Sequence, residues 1–422
     1  MRIPLSWLKD YVDLDETPQQ IADRLTFSGT EVEGIETIGS TYTGFLVAEV
    51  RSVEKHPQAD KLSLCRVFDG QQELQVVCGA PNVQAGGRYP FAQVGVTLPD
   101  GSLTIKKAKI RGCESFGMLC SADELGLSQD HSGLLVLDAS WAAGTPLATV
   151  LGPPETVFEL EVTPNRPDCL SLIGIARELA AVYRRPLKLP AVALAEAGPA
   201  LDTLARVEVQ DADGCPRYTA RVLQGMRVGP SPAWMQKRLQ LAGIRAINNL
   251  VDITNYVMLE CGQPLHAFDL ELLQEGRIVV RRARAGERMQ TLDNVDRELA
   301  ASTLVIADGA RPVAVAGVMG GAGSEIRAAT SSVLLESAAF KPTAIRATAR
   351  QLGLSTESSY RFERGVDVEN VEWASRRAAA LMAELGGGTV ARGVIDVRRP
   401  PDAHRAIRCR FDYVRGVVGV PA

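Results

Sequence analysis

Apolar positions change their rhythm several times along this chain. Near the start, Pro4 is followed by Trp7, Leu8, Tyr11 and Val12, then by Ile21, Leu25 and Phe27 before Gly29, a spacing that predicts a short helical unit. From about 41 to 151 the texture becomes short alternating runs at 45–53, 62–68, 74–77 and 103–110. Asp69-Gly70, Gly86-Gly87 and Asp100-Gly101 punctuate them, so many short strands closing into a small barrel are expected. Leu172, Ile173, Ala176, Leu179, Ala180 and Tyr183 then fall on one helical face, with Asp168 placed to cap it.

The stretch 185–200 carries Pro186, Pro190, Pro199 and a run of alanines, and reads as a linker. Beyond it helices and strands alternate. Ser231-Pro232 opens a helix that Gly243 ends, strand-like runs stand at 277–283, 303–307, 313–318 and 333–335, and Pro342 opens a helix that Gly353 closes. An amphipathic helix over 368–385 stops at Gly386-Gly387-Gly388. The segment from 408 reads as a strand followed by a helix, the opening of a further domain.

Composition narrows the class. With 422 residues, two to four domains are expected, and 46% hydrophobic with 23% charged residues describes a folded chain rather than a disordered one. No run approaches the roughly 18 apolar residues of a membrane span, and MRIPLSWLKDYVDLDE has no signal-peptide pattern, so a cytoplasmic protein is the expectation. Eight cysteines show no C-x-x-C pair, and His56, His131, His266 and His404 stand far apart, so no metal site is expected. His56, before Pro57, reads as a turn residue packing against Asp60.

A net charge of -4 means that any nucleic-acid contact must be local. Between 41 and 151 there are nine Lys and Arg against eleven Asp and Glu. Only Lys106, Lys107, Lys109 and Arg111 cluster, either as an RNA contact or as a protected sheet edge.

The words HPQADKLSLCRV (56–67), VVCGAPNV (76–83) and IRGCESFGMLCSADELGL (110–127) resemble the tRNA-binding OB domain also appended to some methionyl-tRNA synthetases. MRIPLSWLKDYV, LEVTPNRPDCLSLIGIARELAA (160–181), INNLVDITNYVMLECGQPLHAFD (247–269) and STESSYRFERGVD (355–367) extend a resemblance, in order, to the bacterial phenylalanyl-tRNA synthetase beta-subunit family over residues 1 to about 400.

That resemblance implies a multidomain α+β chain. Its expected parts are an N-terminal helical docking segment (1–40), an OB-fold tRNA-binding domain (41–151) and a connecting helical unit (152–184). A linker (185–210), an α+β editing domain (211–388) and the start of a winged-helix-like domain (400–422) follow. It also implies a heterotetramer of two alpha and two beta chains acting on tRNA(Phe), with ATP and Mg2+ used by the whole enzyme and none bound by this chain. A stand-alone tRNA-binding and editing fragment is the alternative.

Phenylalanine and tyrosine differ by one hydroxyl, and an apolar pocket rejects an added hydroxyl by only about a hundredfold. A second site can do better with a buried acceptor, which tyrosine fills and phenylalanine leaves bare. Glu336 stands in VLLESAAF, an otherwise apolar strand, and by resemblance accepts the tyrosine hydroxyl with help from the Gly317 N–H in VAGVMGG. The glycines at 317, 320, 321 and 323 either allow close approach to a ligand or serve a tight turn. His266, read as lying in a loop between helix and strand, is implied to bind the misacylated 3′ end. Thr254, Asn255, Arg245 and Thr356 complete the family's set for the water, the ester and the terminal adenosine. Ser358 stands where the family often has alanine. No covalent nucleophile arrangement and no Walker loop occurs.

Overall fold

The computed structural model describes residues 1–128, 131–400 and 406–419, which form two compact units. One comprises Met1–Pro190 with Gln236–Arg245, the other Ala191–Met235 with the rest of the chain.

In the first unit the opening segment is only partly helical. Arg2–Pro4 and Glu31–Ile38 flank Glu155–Glu161 in a three-stranded antiparallel sheet, and the helix Pro18–Phe27 lies between the two outer strands in sequence. Thr17 and Gln20 form a reciprocal capping box at its start. The helix Leu172–Tyr183 is capped by Ser171, whose hydroxyl accepts the Gly174 N–H at 3.0 Å, and not by Asp168. Asp168 is held by Arg166 instead, at 3.0 and 2.8 Å.

Residues 45–119 form a five-stranded antiparallel sheet in the order Glu73–Cys78, Ser63–Phe68, Phe45–Lys55, Arg88–Ala92, Met118–Leu119. Its alternating residues feed two apolar clusters, one around Val50, Val67, Val76 and Phe91, the other around Phe45, Val47, Leu125 and Leu147. His56 is buried against this sheet. Its Nδ1 accepts the Gln58 N–H at 3.1 Å and its Nε2 lies 3.2 Å from the Ile110 carbonyl, while Asp60, on the same turn, pairs with Lys55.

The second unit stacks three layers. A six-stranded mixed sheet runs Glu196–Ala200, Thr389–Arg392, Arg217–Gln224, Ser332–Ala339, Leu265–Asp269, with Ile395–Arg398 paired beside Arg217–Gln224. The helices Asn249–Cys261 and Asn370–Gly386 cover one face. The other face packs on a five-stranded sheet of Arg206–Val209, Arg277–Arg282, Leu304–Ala307, Pro312–Val315 and Met319–Gly320. Tyr218, Ala220, Val222, Phe268 and Leu334 from the first sheet meet Ile278, Val280, Leu304 and Ile306 from the second. Helix Pro342–Leu352 ends at Gly353 in the left-handed conformation, as the sequence predicts.

Two expectations are corrected here. The stretch read as a linker supplies strands to both sheets. Glu196–Ala200 pairs in parallel with Thr389–Arg392, and Arg206–Val209 with Arg277–Arg282. The small residues that suggested flexibility serve close packing, since a Cβ on Gly198 would sit 3.0 Å from the Ala391 Cα. Near the end, residues 406–410 form no strand, and the helix is Phe411–Val418. His404 and the other residues of 401–405 and 420–422 lie outside the described residues.

Candidate functional site

The strand Ser332–Ala339 lies between Arg217–Gln224 and Leu265–Asp269. Alternation turns Ser337 toward the helical layer, where its hydroxyl donates to the Val371 carbonyl at 2.9 Å, and turns Glu336 the other way, into the space between the sheets. Glu336 is only 5% exposed. Its Oε2 accepts the Tyr218 hydroxyl at 2.7 Å, and this is the carboxyl group's only hydrogen bond among the described residues. Burial pushes the carboxyl up to about 8, opposed by the Tyr218 bond.

A cavity of about 50 Å³ opens beside it, lined by Glu336, His266, Pro264, Leu265, Val318, Met319, Ser358 and Phe362 among others. A space of that size has room for a few waters. His266 is not in a loop. It belongs to the strand Leu265–Asp269, where it is the direct cross-strand partner of Glu336. The helix Asn249–Cys261 ends at Gly262, so the connection is shorter than the sequence pattern suggested. The imidazole stands edge-on to Phe268 at 4.4 Å, and its Nε2 is buried without a hydrogen-bond partner. Burial pushes it down to about 4, so the ring is neutral at physiological pH.

The turn that closes the cavity depends on glycine twice. Gly317 has φ +66°, and a Cβ there would come within 3.0 Å of both Phe340 and Phe362. A Cβ on Gly320 would meet the His266 Cε1 at 2.6 Å. Thr356 fastens this turn to the helix Glu357–Phe362. Its hydroxyl donates to the Val318 carbonyl at 2.9 Å and accepts the Ser359 N–H at the helix start.

The structure therefore brings Glu336, His266, Gly317 and Ser358 together around one cavity. Thr356 supports its wall, with the hydroxyl already committed. Thr254 and Asn255 lie on the helix Asn249–Cys261, and the Thr254 hydroxyl bonds back to the Val251 carbonyl at 2.7 Å. Neither is a lining residue, and Arg245 is exposed and falls in the other compact unit. Tyr218 was missed. In RYTARV its alternation marked only a core strand, and a phenol among apolar neighbours was the available signal.

In the first unit, Lys106, Lys107, Lys109 and Arg111 are all exposed around the hairpin of Ala108–Ile110 and Cys113–Ser115. Lys107 is engaged with Glu114 at 3.1 Å and lies over the Phe116 ring. Among the described residues one group of carboxylate and thiol side chains is close enough for a metal, Asp168, Cys169 and Glu178. Arg166 occupies it, with Nη2 2.8 Å from each carboxylate and 3.0 Å from the sulfur.

Comparison with known proteins bears on both units. A family model described as "B3/4 domain" matches residues 214–387, and one described as "Putative tRNA binding domain" matches residues 45–146. The phenylalanine–tRNA ligase beta subunit of Geobacter sulfurreducens is 52% identical over 420 residues, covering 100% of this chain and 52% of that protein. Over its whole length this chain is similar to phenylalanine–tRNA ligase beta subunits. The beta subunit of Syntrophus aciditrophicus is 49% identical over 425 residues, again 100% of this chain and 53% of its own length. That of Anaeromyxobacter dehalogenans is 51% identical over 422 residues. The chain thus spans about half the length of the beta subunits it matches. None of the described helices is long and apolar enough to cross a membrane.

Proposed function

We propose that this chain serves phenylalanine–tRNA ligase as beta-subunit sequence, binding tRNA(Phe) and hydrolysing tyrosyl-tRNA(Phe). Synthesis from ATP, phenylalanine and tRNA takes place on an alpha subunit, in the cytoplasm, within a tetramer of two alpha and two beta chains. The matched 45–146 region is an OB-type tRNA-binding barrel in this reading, and the last helix opens a winged-helix-like domain. ATP and Mg2+ belong to the whole enzyme. The one candidate metal cluster among the described residues is filled by Arg166, so no step is assigned to a metal here.

One observation carries the editing reading. A carboxyl side chain with one hydrogen bond is buried at the floor of a cavity whose wall includes a neutral, unpartnered imidazole nitrogen. In this reading the tyrosyl side chain enters the cavity and its phenol meets the free oxygen of Glu336. A phenylalanyl side chain leaves that oxygen desolvated and bare, which is the source of discrimination. The His266 Nε2 faces the aminoacyl end, where a neutral imidazole can donate to or accept from the ester or ribose oxygens. The cavity walls move outward to admit the ring, since about 50 Å³ holds water and not a phenol.

The test is hydrolysis of tyrosyl-tRNA(Phe) and phenylalanyl-tRNA(Phe) by the chain and by Glu336→Ala. The tyrosyl preference in kcat/KM should fall by about ten- to a hundredfold, the worth of a hydrogen bond to a charged or buried partner. An unchanged preference removes Glu336 from the pocket and the editing reading with it.

A further inference from the structure

We propose that Tyr218 is a positioning residue for phenol recognition: its hydroxyl occupies one oxygen of Glu336 and leaves the other directed at the cavity. The inference deepens the editing reading and rests on it. Tyr218 is wholly buried, and it shares a sheet face with Glu336. On the paired strands Tyr218 stands opposite Ala338 and Ala220 opposite Glu336, so the phenol reaches diagonally across to the carboxyl. The bond is 2.7 Å long, and no other described side chain bonds to that carboxyl.

A carboxyl group has two equivalent oxygens, and without a fixed partner it turns about its last torsion among several orientations. Tyr218 removes that freedom. It is itself a phenol, so the carboxyl already holds at Oε2 the group that a tyrosyl ligand brings to Oε1. When Glu336 is protonated, the proton sits on Oε1, facing the cavity, because Oε2 is engaged as an acceptor. When Glu336 is ionised, Oε1 accepts.

Tyr218 also biases which state prevails, since its donation favours the ionised form against burial. The other titratable groups facing the carboxyl are His266, from the adjoining strand, and Cys215, just before the Tyr218 strand. Burial keeps both uncharged at neutral pH. The strands Leu304–Ala307 and Pro312–Val315 contribute only Ile306, Ala314 and Val315 to the cavity. Helix Glu357–Phe362 contributes Ser358 and Phe362, while its Glu357 and Arg361 pair with each other. Among the described residues, Tyr218 is therefore the one group whose hydrogen bond sets the pH at which Glu336 changes from donor to acceptor.

The experiment compares the full chain with its Tyr218→Phe variant on tyrosyl-tRNA(Phe) and phenylalanyl-tRNA(Phe) across a pH series. The tyrosyl preference should fall about tenfold, the weight of one hydrogen bond to a carboxylate. The midpoint of its pH dependence should move upward. Site-specific 3-fluorotyrosine at 218, a stronger donor of nearly the same shape, should move the midpoint downward, and it decides the matter alone if Tyr218→Phe does not fold. Unmoved preference and midpoint in these proteins, while Glu336→Ala lowers the preference as expected, would make Tyr218 a packing residue and overturn the inference. If Glu336→Ala also leaves the preference intact, the underlying reading of Glu336 has failed first.

Discussion

His266 and Glu336 are direct partners on adjacent antiparallel strands, and burial moves their proton affinities in opposite directions. A base pushed down and an acid pushed up are both neutral near pH 7, so no ion pair forms between two groups that would attract each other in water. The site offers hydrogen-bonding groups without a standing charge, which suits recognition of a neutral phenol and a neutral ester.

Stability should record this arrangement. The folded Glu336 holds its proton up to about 8, while the unfolded carboxyl releases it near 4.5. Its contribution is therefore fully present below the unfolded value and is lost as pH rises through that window. Glu336→Gln should flatten the fall in urea-denaturation stability between about pH 4.5 and 8, by an amount on the order of a few kcal/mol. An identical pH slope in the two proteins would mean that the carboxyl is solvated.

His266 acts at the opposite end. Its folded value of about 4 lies below the ordinary 6.5, so the unfolded state takes up a proton first and stability declines as pH falls between these values. The imidazole Cε1–H resonance in the folded chain should show no titration near pH 6.5. A normal titration there would place the ring in water.

Gly320→Ala should act on His266 rather than on the fold at large. The new methyl would stand 2.6 Å from the ring, which must turn away from Glu336. Tyrosyl-tRNA hydrolysis should drop by about tenfold or more, with a smaller change in melting temperature than Gly317→Ala produces.

Gly317→Ala combines a left-handed backbone with a methyl forced within 3.0 Å of Phe340 and Phe362. Overpacking and backbone strain together should cost about 2–4 kcal/mol in denaturant titration. A loss under about 0.5 kcal/mol, the scale of a neutral surface change, would show that the turn can relax.

The basic hairpin is tested by salt. Replacing Lys106, Lys107, Lys109 and Arg111 with alanine should lower the slope of log K against log salt for tRNA binding. The decrease should be roughly two to three, because Lys107 is already engaged with Glu114 and the rest contribute somewhat less than one each. An unaltered slope would leave the hairpin as a protected edge.

Sequence reading reached parts of this architecture where a local rule was strong. Pro342 and Gly353 bracket a helix because each fixes a backbone angle, and Glu336 stood out because a charge inside an apolar strand needs a reason. Register was not legible. Nothing in QPLHAFD says that its histidine lies opposite Glu336, since strand pairing joins residues 70 positions apart through contacts no short window contains. Tyr218 was hidden for the same reason. The motif residues Thr254, Asn255 and Arg245 lie close to one another in sequence, but none of them lines the cavity, and nothing in a short window says so. The alanine-rich 185–210 stretch misled because small residues suit tight strand packing as well as flexible tethers.

The strand bearing Glu336 is paired along its whole length on one side and from Val333 to Ser337 on the other, so it belongs among the last backbone to breathe. If the cavity widens to admit an aminoacyl group, as proposed, the opening comes from the opposite rim, the Ala316–Gly320 bend and the short helix that Thr356 clasps to it. Amide exchange should be slow in the strand beneath the cavity and faster in the rim above it. Entry of cargo would then be governed by how often a single threonine lets go.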